Sequence, residues 1–198
     1  MAEVDSSTGG HLSPAGTPAP DEDAALDALF QTAFAAITGL PGALVRPRWQ
    51  PGNPKQPEPH VDWCALAVTS SEPDAGPAIQ HISVAQGTDS YARHEQIEVL
   101  TSFYGPRSKT FSGRLRDGLA MPQNMEPLRT KEIGLVECGT ARAFPEFVNQ
   151  QWIRRVDMLV RFSRKVSRIY SVRNVAAADV HLFDATNVDE LITVPPAQ

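Results

Sequence analysis

Cys64 lies four residues after His60 and two after Asp62. A neighbouring imidazole favours the thiolate, so this spacing could serve a thiol nucleophile. In an extended strand, positions 60, 62 and 64 share one face while Trp63, Ala65 and Ala67 occupy the other. A small packed cysteine accounts for Cys64 more simply. His81 and His94 fall in consecutive strand-like segments, where a loop from Ala85 to Ser90 would pair them directly and could place both imidazoles on a metal. A one-residue slip sets His81 against Glu95 and Ile79 opposite Ile97, a better apolar match, and leaves only an imidazole–carboxylate contact on a solvated face. The third grouping is one of charge. Arg154, Arg155, Arg161, Arg164, Lys165, Arg168 and Arg173 form a basic run against one acid, Asp157. Such a run can hold nucleic acid, face solvent along a strand, or meet an acidic surface of another copy.

Aromatic residues within that run are limited to Trp152, Phe162 and Tyr170, and the net charge is −5. Both facts favour assembly over a dedicated nucleic-acid surface. The candidate subunit interface is therefore Arg154, Arg155, Arg161, Arg164, Lys165 and Arg168. No phosphate-cradling glycine motif, serine-nucleophile elbow or Cys-x-x-Cys pair occurs. A cysteine or metal hydrolase built on Cys64, His60, His81 or His94 is the lesser alternative, and no cofactor or metal is expected.

The elements that must carry these residues follow from length and patterning. With 198 residues, 41% hydrophobic, the chain supports one domain plus tails. A folded stretch of about 150 residues buries close to two-thirds of its unfolded surface, enough without disulfides. Two cysteines make no disulfide framework. The longest apolar runs, Ala33 to Ile37 and Cys64 to Val68, are far shorter than the roughly 20 residues of a bilayer span. The opening residues, with Glu3 and Asp5, do not read as a secretory signal. No membrane partner is expected.

Residues 1–20 are rich in Gly, Pro, Ser and Thr and read as a disordered arm. Every charged residue before Arg46 is acidic: Glu3, Asp5, Asp21, Glu22, Asp23 and Asp27. Apolar residues at 26, 29, 30, 33, 34 and 37 predict a helix over about 23–38, with N-caps offered by Asp21 to Asp23 and a stop at Gly39 and Pro41. Ala43 to Gln50 reads as a strand that should be an edge or end in a protruding loop, because Pro47, Pro51, Pro54, Pro57 and Pro59 cannot donate into a ladder. Val61 to Thr69, Ala78 to Ala85 and Tyr91 to Tyr104 read as an antiparallel meander. Phe111, Leu115 and Leu119 predict a second helix, and Gln123 to Glu132 a loop. Gly134 to Ala143 reads as a strand, and Gln151 to Tyr170 as one long strand with Trp152, Val156, Met158, Val160 and Phe162 inward. Its later half, polar on both faces, is expected to project as a hairpin with Val172 to Phe183 or to pair with another molecule. The fold class is α+β: an antiparallel (mixed) β-sheet with two helices packed on one face and a long projecting β-hairpin. The single domain spans 21–184, with a loose C-terminal tail over 185–198.

Five strings are more specific than periodicity: Leu44-Val-Arg-Pro-Arg-Trp-Gln-Pro51, Val61-Asp-Trp-Cys-Ala65, Arg93-His-Glu95 leading to Ser102-Phe-Tyr-Gly-Pro106, Arg114-Leu-Arg-Asp-Gly-Leu119 with Pro122-Gln-Asn124, and Phe147-Val-Asn-Gln-Gln-Trp-Ile-Arg-Arg-Val-Asp157. In this order, over about residues 30–175, they resemble the phage neck terminator, or tail terminator, proteins of long-tailed bacteriophages. The resemblance implies a non-enzymatic virion protein that caps the tail tube and joins it to the head and neck. It implies a homo-oligomer, usually a hexameric ring, with tail tube protein and head-completion protein as partners. Genomic DNA would pass through its lumen without sequence-specific binding. The location it implies is the virion tail or neck, after assembly in the host cytoplasm, and a head-closure or tail-completion connector is the runner-up. The basic hairpin and the loop of Pro51, Pro54, Pro57 and Pro59 then become the protrusions by which subunits interlock. Among the matching residues, Trp49, Trp63 and Trp152 are expected to pack in the core. Arg46 is expected to hold an acid on a neighbouring strand or subunit.

Overall fold

In the computed structural model, residues 10–15, 20–50, 52, 54–82, 87–148, 150–173, 178–183 and 189–194 are described, the last two segments as backbone only. The helix read from apolar spacing forms over the expected residues, as α1 (Asp23–Thr38), and Gly39 closes it at φ 76°. A one-turn 3-10 helix leads into β1 (Val45–Pro47). Next come β2 (Trp63–Pro73), β3 (Ala78–Ile82), β4 (Thr88–Tyr104), α2 (Ser108–Leu119), α3 (Pro122–Arg129), β5 (Ile133–Cys138), β6 (Arg142–Ala143), β7 (Glu146–Val148), β8 (Gln151–Ile153), β9 (Arg155–Ser171), β10 (Ala178–Phe183) and β11 (Asp189–Val194). The class is α+β with a mixed sheet.

Contacts divide the chain into two compact units, so the stretch expected as one domain, 21–184, is shared between them. The larger comprises Pro20–Gly76 and His94–Val166. Its sheet runs β1-β2-β4-β9-β5, with β6 also on β9. The β1–β2 pair is parallel, and β2–β4 and β5–β9 are antiparallel. As expected, β1 is an edge strand, short and ended by proline.

One face of this sheet carries Cys64, Leu66, Ile97, Val99, Phe103, Met158, Val160 and Phe162. The apolar stripes of the helices pack on it: Leu26, Phe30 and Phe34 from α1, Phe111, Leu115 and Leu119 from α2, Met125 and Leu128 from α3. Phe30 and Phe162 meet at 5.0 Å between ring centroids, and neither is exposed. Each such fully buried ring stabilises the fold by roughly 1.5–3 kcal/mol. On the opposite face Ala65 and Tyr104 pack against Ile153 and Val148 of the β7–β8 hairpin.

The smaller unit holds β3, the first residues of β4, the end of β9, and β10 paired with β11. Ala15 bridges to Ile169 there. Most of the expected N-terminal arm, residues 1–9 and 16–19, lies outside the described residues.

Several expectations need correction. The three central strands do not form a meander: β2 pairs directly with β4, from Trp63↔Tyr104 to Pro73↔Glu95, while β3 pairs with an earlier stretch of the same strand. A 17-residue strand is long enough to take both partners in succession. Gln123 to Glu132 is largely helical, as α3; Pro122 occupies its first position, where a missing N–H costs nothing, and Pro127 broke the periodicity. The stretch after residue 150 is two strands, so Trp152 belongs to β8 and not to the long strand. The polar half of β9 is not polar on both faces, since Arg164 and Val166 are buried. Among the described residues β10 pairs with β11, not with β9, so part of the expected loose tail is a strand. No acid at the start of α1 caps it through its side chain. Asp21 turns instead to Lys131, at 2.9 Å.

Candidate assembly surface

Neither suspected reactive grouping assembles. Cys64 faces the helices and is 1% exposed, its thiol pushed far up by burial. Asp62 is engaged elsewhere. Its carboxylate accepts from the Arg107 backbone N–H at 2.7 Å and from Arg107 Nε at 2.8 Å, tying β2 to the start of α2. His60 is exposed. His81 pairs with neither His94 nor Glu95: its register partner is Asp89, with Nδ1 2.6 Å from the carboxylate. Among the described residues no three His, Cys, Asp or Glu side chains are grouped to hold a metal ion.

The basic run is absorbed largely within the chain. Arg155 holds Asp157 bidentately, through two contacts of 2.7 Å, and also reaches Glu146. Hydrogen bonding to Asp157 is the main reason its guanidinium is held more firmly charged than usual. Arg161 bridges Glu98 and Glu137, each at 2.7 Å. Lys165 reaches Glu132 at 3.4 Å. Arg164 turns inward to Glu95, and its Nη1 donates to the Asp21 carbonyl at 2.7 Å. Arg154 is exposed and makes no ion pair among the described residues, although its carbonyl accepts from Gly105 N at 3.1 Å. Arg168, in the smaller unit, is half-buried. Local sequence shows only Asp157; the other neutralising acids come from β4, β5, β7 and the loop before β5.

The exposed surface is aromatic where sequence reading placed a core. Trp152 is 70% exposed and Phe147 60%, their rings 5.1 Å apart across the β7–β8 hairpin, with Phe144 nearby in sequence and also exposed. Trp49 is 64% exposed. Trp63, half-buried, stacks flat on Tyr104 with centroids 4.2 Å apart. None of the three tryptophans joins the helix-side core. A signal was available: aromatics at 147 and 152 flank Val-Asn-Gln-Gln, a length that a two-residue hairpin turn sets directly across from each other.

The proline-rich segment has no regular structure over 54–58, with a turn at 59–60. Pro51 lies outside the described residues, Pro54 is exposed, and Pro57 and Pro59 are half-buried. Arg46 holds this segment through the Lys55 carbonyl at 2.9 Å and bonds the Ala43 carbonyl at 2.8 Å, so its partners among the described residues are backbone oxygens rather than an acid.

A mixed sheet backed by helices, with Cys64 buried, Asp62 and His81 paired, and Phe147 and Trp152 presented on a hairpin, defines an α+β protein with aromatic side chains on its surface. The model of the phage neck terminator protein family matches residues 24–189, and the chain belongs to that family. It is thus a structural protein of the phage neck and a virion component. A search of curated proteins found no match. No helix among the described residues is long and apolar enough to cross a membrane.

Proposed function

We propose that this chain forms a ring that ends the tail tube and joins it to the head, with its own copies, the tube protein and a head-completion protein as partners. Six copies is the expected number, genomic DNA passes through the lumen without sequence-specific contact, and assembly takes place in the host cytoplasm. The family match over residues 24–189 carries this reading. The exposed Phe147–Trp152 pair supports it, because rigid aromatics clustered on a hairpin are the usual anchors of a protein interface. Arg154 and the Pro54, Pro57 and Pro59 segment complete the proposed contact surface. Arg155, Arg161, Arg164 and Lys165 serve it by holding β9 in place.

Particle mass and negative-stain imaging of the purified protein, with and without tail tubes, test this. Rings seated at tube ends are the expected result. Trp152→Ala with Phe147→Ala is expected to abolish them while leaving the melting temperature near that of the parent. Absence of the chain from purified particles, or rings that bind heads and ignore tubes, would overturn the reading, the second outcome in favour of a head-closure connector.

A further inference from the structure

Beside the proline-rich segment, an open cavity of about 360 Å³ is lined by Arg46, Arg48, Trp63 and Tyr104, with Pro54 and Pro57 on the loop side. Among the described residues no acidic side chain lines it. Among the described residues Arg46 hydrogen-bonds only the Ala43 and Lys55 carbonyls. Arg48 donates to Ser102 Oγ at 2.5 Å, and its buried Nε has no hydrogen-bond partner. Among the described residues neither makes an ion pair, whereas Arg155, Arg161, Arg164 and Lys165 each meet a carboxylate. Two neighbouring guanidiniums with neutral acceptors only, next to a flat aromatic wall, form a receptor for carboxylates, which the guanidinium fork grips bidentately.

The chain contains a matching segment. All six charged residues before Arg46 are acidic. Asp21 is bound to Lys131 and Glu22 has a partner of its own, while Asp23 and Asp27 belong to α1. Glu3 and Asp5 stand two residues apart near the start of the sequence. We propose that the cavity holds the carboxylates of Glu3 and Asp5 from a second copy of this chain, a head-to-tail contact that rests on the ring reading. In a protein of net charge −5, such a contact offsets the like-charge repulsion that close packing of copies would otherwise incur.

Sedimentation velocity and tube-end occupancy of full-length variants decide this. Glu3→Gln with Asp5→Asn, and separately Arg46→Gln with Arg48→Gln, are each expected to weaken association about tenfold or more. All four together are expected to weaken it no further. The decisive arm uses two charge-reversed proteins, one carrying Glu3→Lys and Asp5→Lys, the other Arg46→Glu and Arg48→Glu. Each fails alone, and an equimolar mixture recovers association, because every cavity then meets an arm of opposite charge. Melting temperatures near wild type confirm that the variants are folded. Additive losses, or no loss, overturn the inference while wild-type rings leave the ring reading standing. Rescue within one doubly reversed chain but not by mixing assigns the cavity to the chain's own arm and also overturns it. So does loss of binding to a DNA oligonucleotide with association intact, which would mark a phosphate site. A wild-type protein that neither self-associates nor occupies tube ends sinks the ring reading itself.

Discussion

Glu95 on β4 and Arg164 on β9 form an ion pair inside the larger unit, 2% and 8% exposed at their side chains, and Arg164 also takes the carbonyl of Asp21 just before α1. One guanidinium therefore joins two strands of the sheet to the entry of the first helix. In a basic run read as a contact surface, it is the residue least able to reach another molecule.

Replacing Arg164 with Met takes one buried cation away from the buried Glu95 carboxylate. Removing one partner of a buried pair costs about 3–5 kcal/mol. Arg164→Met is expected to unfold at markedly lower urea concentration than wild type, and Arg164→Met with Glu95→Leu to regain most of the difference. Equal midpoints for the two variants would show that the uncompensated charge is not the cause.

Gly105, directly after β4, has φ 101°, and a Cβ there would lie 2.6 Å from the Val61 carbonyl oxygen and 2.7 Å from the Asp62 carboxylate. Gly105→Ala is expected to cost upwards of about 1–3 kcal/mol and to loosen the Asp62–Arg107 link. Gly113, inside α2, has open space where its Cβ would stand. Gly113→Ala is expected to stabilise by up to about 1 kcal/mol. Thermal melts of both variants check the contrast.

The hydrogen bond from Arg161, foremost, holds the Glu98 carboxyl below its usual range, with a smaller contribution from Ser70. A depressed carboxylate contributes stability that is present above its unfolded pKa, near about 4.3, and lost as pH falls through the lower folded value. Stability is therefore expected to fall on acidification through this window. Glu98→Gln is expected to flatten that part of the profile in a series of urea melts, modestly, since the pair is partly exposed to solvent.

Cys64 is expected to resist a thiol reagent in the native state and to react once the chain unfolds, because burial both hides the sulfur and suppresses its thiolate. Cys138, half-buried, is expected to react first. Mass spectrometry of labelled peptides distinguishes the two. Rapid native labelling of Cys64 would contradict its packing beneath the helices.

The span of α1, the inward residues of β9, the edge position of β1 and the α+β class were all legible in the sequence, and the five strings from Leu44 to Asp157 carried the resemblance that residues 24–189 bear out. Each of these rests on local periodicity, proline chemistry or short motifs, which neighbouring residues determine among themselves. Which strand lies beside which is not local. The pairing of both β2 and β3 with β4, the acids that meet Arg161 and Arg164, and the exposure of Trp49 and Trp152 depend on residues as many as 69 positions apart. Charge and aromatic character can be read along a chain, but only the folded sheet decides which charges are neutralised and which rings are left facing outward.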